Sequence, residues 1–197
     1  MLGFIACEKS EQDKTQDKVQ DTNAIKQEID VEQIEKILGR EINFIERGKF
    51  VVDSLSEVVA GTEFSSDSLW GIRFTLLKND GNSIKKVYQT NVLDGSFKEG
   101  LIDKLRLKGI NYDLIYYDSR DYYMGSGGGE IFSYLIDFQT ESVYKAHFFT
   151  VPDKPVSLFI SSNTTDDNIR NFFISKYRKD YPELQLVKKD YKLEDIF

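Results

Sequence analysis

The sequence predicts an α+β fold: an antiparallel β-sheet built on a three-strand meander, with helices packed on at least one face. Three observations carry that prediction. Between Gly129 and Ser162 apolar side chains alternate with polar ones in three runs separated by turn residues, the period of an extended chain. Three other stretches place apolar residues at helical spacing behind capping residues. Fourteen Phe and eleven Tyr stand against two Met, and such rings suit cross-strand packing.

In the central stretch Phe132, Tyr134, Ile136 and Phe138 share one face, and Ser133 and Asp137 the other. Tyr144, Ala146 and Phe148 then oppose Lys145, His147 and Phe149, with Gln139 to Ser142 as the turn. Pro152 and Pro155 remove two backbone donors, so the chain leaves the ladder before Val156, Leu158 and Ile160 resume it.

Upstream, Asp30 with Gln33 reads as a capping box, and Val31, Ile34, Ile37 and Leu38 recur at helical spacing up to Gly39. That predicts a helix over 31–38. Residues 42–60 fit two patterns, since Phe50-Val51-Val52 reads as strand while Leu55, Val58 and Val59 suit a helix face. Strands over 69–77 and 84–92 flank Asn79-Asp80-Gly81-Asn82, a hairpin turn by composition. Ser96 with Glu99 forms another capping box, predicting a helix along Phe97, Leu101, Ile102 and Leu105 that ends at Gly109. Residues 111–118 return to strand, with Tyr112, Leu114 and Tyr116 on one face. Thr165-Asp166-Asp167 caps a last helix with Ile169, Phe172, Phe173 and Tyr177 on its buried side, Pro182 closes it, and 184–187 make an edge strand.

A chain of 197 residues with 40% hydrophobic content supports one core, placed here in residues 24–197. The formal net charge of -7 argues against nucleic acid as a partner, because phosphate-backbone binding needs clustered cations. No apolar run reaches the roughly 20 residues of a spanning helix. A single cysteine excludes an internal disulfide and any multi-cysteine metal site.

That cysteine, Cys7, follows Leu2-Gly3-Phe4-Ile5-Ala6 and precedes a polar run in which Val19 is the only apolar residue from Glu8 to Asn23. An apolar segment ending in a small residue before Cys resembles the lipobox of bacterial lipoproteins. Phe4 stands where Leu is usual, and most of a signal peptide's basic region and apolar core is missing ahead of it. The resemblance covers Phe4-Ile5-Ala6-Cys7 and the tail behind it. It implies that residues 1–7 are residual signal and lipobox, that Cys7 is lipidated and holds the protein on the membrane, and that Glu8 directs it to the outer membrane. Residues 8–23 then form a disordered tether, too polar to offset the entropy of ordering.

Met124 to Gly129 is the most unusual composition, with Gly125, Gly127, Gly128 and Gly129 beside Tyr122 and Tyr123. A phosphate cradle needs glycines between a strand and a helix; here a strand follows, so a hairpin loop is expected and nucleotide is not. Tyrosine offers a flat apolar body and a hydroxyl, and loops carried by a sheet concentrate binding groups. These six residues are therefore the candidate binding site, with an envelope protein, peptide or glycan as the partner class. Tyr112, Tyr116 and Tyr117 extend the tyrosine cluster. His147, the only histidine, shows no partner in sequence and reads as a packing residue. No cofactor is expected and no metal set can be assembled: Asp166-Asp167-Asn168 is accounted for by helix capping. The alternative is a hydrolase using acidic residues around the 118–137 region, drawn from Asp113, Asp118, Asp121, Glu130 and Asp137.

Overall fold

Asp30 extends its backbone and accepts the Gln33 amide at 3.0 Å, while Gly39 closes the same helix in the left-handed region at φ 70. Cap, stripe and terminal glycine thus produce the helix over 31–38. The computed structural model describes residues 30–52, 57–66, 69–80, 83–119, 122–123 and 128–187. Cys7, the run from Glu8 to Asn23, Gly125 and Gly127 lie outside these residues, and the side chains of Tyr122 and Tyr123 are not described. The elements are α1 (Val31–Leu38), β1 (Phe44–Gly48), β2 (Glu57–Ser66), β3 (Leu69–Asn79), β4 (Ile84–Gln89), β5 (Leu101–Leu105) and β6 (Leu114–Asp118). There follow β7 (Tyr122–Tyr123), β8 (Gly129–Asp137), β9 (Ser142–Thr150), β10 (Ser157–Ile160), α2 (Asp167–Arg178) and β11 (Gln185–Leu186).

These form two sheets rather than the one expected. The first runs β1-β2-β3-β4 and is antiparallel throughout. The second runs β11-β10-β9-β8-β6-β5, with β7 also on β8. Its pairs are antiparallel except β10 with β11, which is parallel because α2 carries the chain back along the sheet.

Strand parity explains the stacking. On β6, Ile115 and Tyr117 join Val59, Ile72, Phe74 and Leu76 of the first sheet in one core, while Leu114 and Tyr116 join Ile169, Phe173 and Tyr177 of α2 in another. The second sheet is therefore covered on both faces. A third cluster seats Ile34 of α1 on Ala60 and Leu77, on the far side of the first sheet. The layers run α1, first sheet, second sheet, α2. Phe173 is fully buried in α2, whereas Phe172 is half-buried at its flank with its ring edge-on to Tyr116 at 5.4 Å.

The helix expected from Ser96 to Gly109 is not formed. Ser96 Oγ does accept the Glu99 amide at 3.4 Å and its carbonyl accepts the Gly100 amide at 3.1 Å, so the capping box makes a single turn. Beyond Gly100, Leu101 to Leu105 pair with Asp118 to Leu114 as β5. Leu101 and Leu105 pack toward α2 and Ile102 toward the first sheet, so residues that fit a helical stripe divide between two cores. Tertiary pairing overrides a short, glycine-interrupted helix signal.

Within 42–60 the described residues give β1 and the start of β2; Phe50 to Val52, read as strand from the sequence, instead make the corner after β1, where buried Glu57 accepts the Phe50 and Val51 amides through Oε2, both at 2.8 Å, and Leu55 lies outside the described residues. A charged acceptor shared by two amides holds this corner.

Candidate functional site

The chain on either side of the glycine run folds back on itself. Tyr122 pairs with Glu130 and Tyr123 with Gly129, so β7 and β8 form a hairpin around residues 124–127. Gly128 leads into β8 with φ 139, and Gly129 donates its amide to Thr150 Oγ1 at 3.0 Å. This end of β8 faces the C-terminal end of α2. Between them lie two cavities, one of about 490 Å³ lined by residues including Asp118, Lys176, Tyr177 and Lys179. The other, of about 220 Å³, is bordered by Gly128, Gly129, Glu130 and Thr150. They share Ile131, Phe148 and Tyr181 as walls, so they run side by side as one groove.

Its floor is aromatic. The Phe148 ring stacks on Tyr177 at 4.6 Å and meets Tyr181 at 4.9 Å. At one end a hydroxyl cluster closes the base: Tyr116 OH lies 3.1 Å from both Asp118 Oδ2 and Ser133 Oγ, and Ser133 Oγ is hydrogen bonded to the Tyr177 hydroxyl. Lys176 Nζ sits 4.2 Å over the Tyr116 ring, a cation–π contact at the rim. Burial, with Tyr177 and Asp118 beside it, pushes the Tyr116 hydroxyl far above its ordinary value, so it stays a proton donor. Such a groove can hold a flat apolar group and direct a polar end to Lys176, Lys179 or the hydroxyls. Asp118 Oδ2 accepts the Tyr116 hydroxyl, which also lies against Ser133 Oγ.

The predicted site residues divide. Gly128 and Gly129 line the groove, and the strand of Tyr122 and Tyr123 adjoins it. Tyr116 and Tyr117 are fully buried, Tyr117 stacking on Tyr134 at 5.9 Å. Tyr112 donates to Asp137 Oδ2 at 3.0 Å and is pushed up to about 12 by burial and that carboxylate. Tyr112 and Tyr117 are held inside the fold by these contacts, and Tyr116 reaches the groove only through its hydroxyl at the base. What the sequence reading missed is the contribution of Lys176 and Tyr177 from α2, for which the only signal was helix periodicity, and of Tyr181 from the segment that follows the helix.

Of the acidic residues, Asp137 Oδ1 accepts the Gln139 and Thr140 amides at its turn. Asp113 accepts Lys49 N and Arg106; burial opposes ionisation, but these partners hold its carboxyl below the ordinary range. Asp121 lies outside the described residues. Asp118 and Glu130 remain, and parity separates them: Asp118 shares the α2 face with Ser133, whereas Glu130 turns to His147 on the other. They do not face each other across one cleft, as paired-acid hydrolysis requires.

His147 does have a partner. Its Nε2 lies 2.7 Å from Glu130 Oε2, and its ring packs on Phe132 at 4.4 Å and Phe149 at 5.1 Å. The pair is diagonal on the β8–β9 hairpin, because Glu130 sits opposite Phe149 and Phe132 opposite His147. Nearby, Asp94 Oδ2 accepts Tyr134 at 2.5 Å and Lys145 at 3.0 Å. Burial raises the Asp94 carboxyl, but those bonds outweigh it and hold it below its ordinary value. For His147 burial dominates over Glu130 and lowers its pKa from 6.5.

The folded imidazole therefore binds its proton less readily than the unfolded one, and stability falls as pH drops below 6.5. Asp94 and Asp113, with depressed values, lose their contribution only below 3.8. Melts between about pH 7 and about pH 5 should show a falling midpoint that His147→Gln largely removes, while the loss below about pH 4 persists. An equal decline in the variant would assign the upper window to another group.

Among the described residues no group of three His, Cys, Asp or Glu gathers for a metal, and no helix is long and apolar enough to cross a membrane. No family model, no curated protein and no solved structure matches the chain.

Proposed function

We propose that the protein is a lipid-anchored bacterial envelope lipoprotein of the outer membrane, whose α+β domain binds an envelope protein, peptide or glycan without chemistry of its own. Anchoring is supported by Phe4-Ile5-Ala6-Cys7 and the polar run from Glu8 to Asn23 that follows it. Binding is supported by one observation above the rest. The groove between the Gly128–Gly129 end of β8 and the end of α2 brings Phe148, Tyr177 and Tyr181 together beside the glycine run. Aromatic rings carry binding energy at low entropy cost, and glycines next to them leave room for a partner.

Two arms of one experiment test this. Fractionation with intact-mass analysis should find Cys7 lipidated in the envelope, and Cys7→Ser should leave the protein soluble. Capture from envelope extracts by Tyr181→Ala should fall about tenfold, roughly 1.4 kcal/mol, with little change in melting temperature. A soluble native protein with an unmodified Cys7 would end the anchoring reading. Equal recovery by both proteins would end the binding one.

A further inference from the structure

The sheet that carries the groove has a further concavity at its β10–β11 border. β10 pairs with β9 along its whole length, but β11 accompanies it only at Ser157 with Gln185 and Leu158 with Leu186. Leu158 and Ile160 belong to the core under α2, and both are buried. Leu186, in register with Leu158, is 37% exposed. Helix α2 therefore leaves an apolar strip uncovered along this border. Against the strip lies a cavity of about 600 Å³, larger than either cavity of the groove and inside the range of roughly 300–1,000 Å³ typical of small-molecule sites.

One end of that cavity is polar. Ser161 Oγ accepts the Lys145 amide at 3.0 Å, donates to Asn163 Oδ1 at 2.6 Å and lies 3.1 Å from Thr164 Oγ1. Those two hydroxyls thus hold the bend between β10 and α2. Ser162 and Arg170 differ from them. Both are exposed and line the cavity, and neither side chain makes a hydrogen bond or ion pair among the described residues. Asp166, one turn before Arg170, accepts the Asn168 amide at 2.7 Å as the helix cap. Neither it nor Asp167 forms an ion pair with the guanidinium. A guanidinium keeps its charge at ordinary pH, and its planar fork matches a carboxylate through two parallel hydrogen bonds.

We propose that this cavity binds a small amphiphilic carboxylate, its head on Arg170 and Ser162 and its aliphatic body along Leu158, Ile160, Leu186 and Val187. From Leu158 to Ser161 the floor runs three residues, about 10 Å of strand, which fits a medium-length chain rather than a long acyl tail. Two features together select this class. A bare anion would engage the arginine and leave the apolar strip in water, whereas an uncharged apolar molecule would cover the strip and leave the guanidinium without an acceptor. Arg170 stands in the first half of α2, and Lys176 and Tyr177 of the groove in the second. The site is independent of the groove and of Cys7. Residues 188–197, which continue from Val187, lie outside the described residues, and no wall of the site is drawn from them.

Octanoate is the probe, titrated into the full chain carrying Cys7→Ser and followed by amide NMR, with octanol, acetate and inorganic phosphate as controls. Saturable shifts at Ser162, Thr164, Arg170 and Val187, with Phe148 and Tyr181 unmoved, are the expected result. Arg170→Gln should weaken octanoate binding about tenfold, and Leu186→Ser should weaken it with the arginine intact. Both side chains are exposed, so neither substitution should move the melting temperature. The proposal is overturned if octanoate gives no saturable shift at these residues, or if Arg170→Gln binds it as tightly as the native side chain. Octanol binding as tightly as octanoate would also overturn it, because the arginine would then select nothing. Equal binding of acetate or phosphate would do so as well, because the apolar strip would then contribute nothing.

Discussion

Phe173→Ala is expected to cost about 3–5 kcal/mol of stability. The ring is fully buried in the core that α2 shares with Leu114, Leu135 and Leu158. It stands edge-on to Phe172 at 5.6 Å. Truncation leaves a cavity that neither a twelve-residue helix nor a sheet packed on its other face can collapse to fill. Phe172→Ala, at the half-buried flank, should cost distinctly less. Denaturant melts check both, read as a change in midpoint at constant slope. A Phe173→Ala loss below about 1 kcal/mol would mean that α2 is not packed as described.

Gly128→Ala should be nearly as damaging, and at the site itself. Gly128 has φ 139, where side chains are rarely tolerated, and an added Cβ would lie 2.1 Å from the Thr150 carbonyl oxygen. The backbone conformation alone costs about 1–3 kcal/mol, and relief of the clash must push β8 from β9 where Gly129 meets Thr150. That movement widens the smaller cavity of the groove, so stability and partner capture should fall together. Tyr181→Ala should lower capture alone. Melting temperature and capture, measured on both variants, separate a distorted wall from a missing contact. An unaffected Gly128→Ala would show that this approach of the two strands is not needed.

Much of the fold was legible where a local signal coincided with tertiary need. Asp30 with Gln33 and Gly39 bounded α1, and Asp166, accepting the Asn168 amide at 2.7 Å, capped α2. Alternation along β8 and β9 was readable because parity assigns each face a different cover. β2 was not, since it is buried on both faces from Ala60 to Thr62 and so shows no alternation. The Ser96–Glu99 box was a true local signal, but it specified one turn, and Gly100 with the pairing to β6 ended it.

The site was half legible for the same reason. Glycines and tyrosines near 122–129 stand out in composition, and Gly128 and Gly129 do line the groove. Tyr177 of α2 and Tyr181 just beyond its end lie about fifty residues onward, and their meeting with Phe148 depends on which face of the sheet α2 covers. His147 and Glu130 meet through a diagonal register, and Arg40 and Arg73 share Phe64 only once α1 and β3 are placed. Contacts of that kind leave no trace in spacing along one chain.

The most direct test of the binding groove is an amide NMR titration of the protein with solubilised envelope material. Perturbations concentrated at Gly128, Gly129, Ile131, Phe148, Tyr177 and Tyr181, and lost in Tyr181→Ala, are the predicted result. Perturbations confined to other surfaces, or an unchanged pattern in Tyr181→Ala, would contradict it.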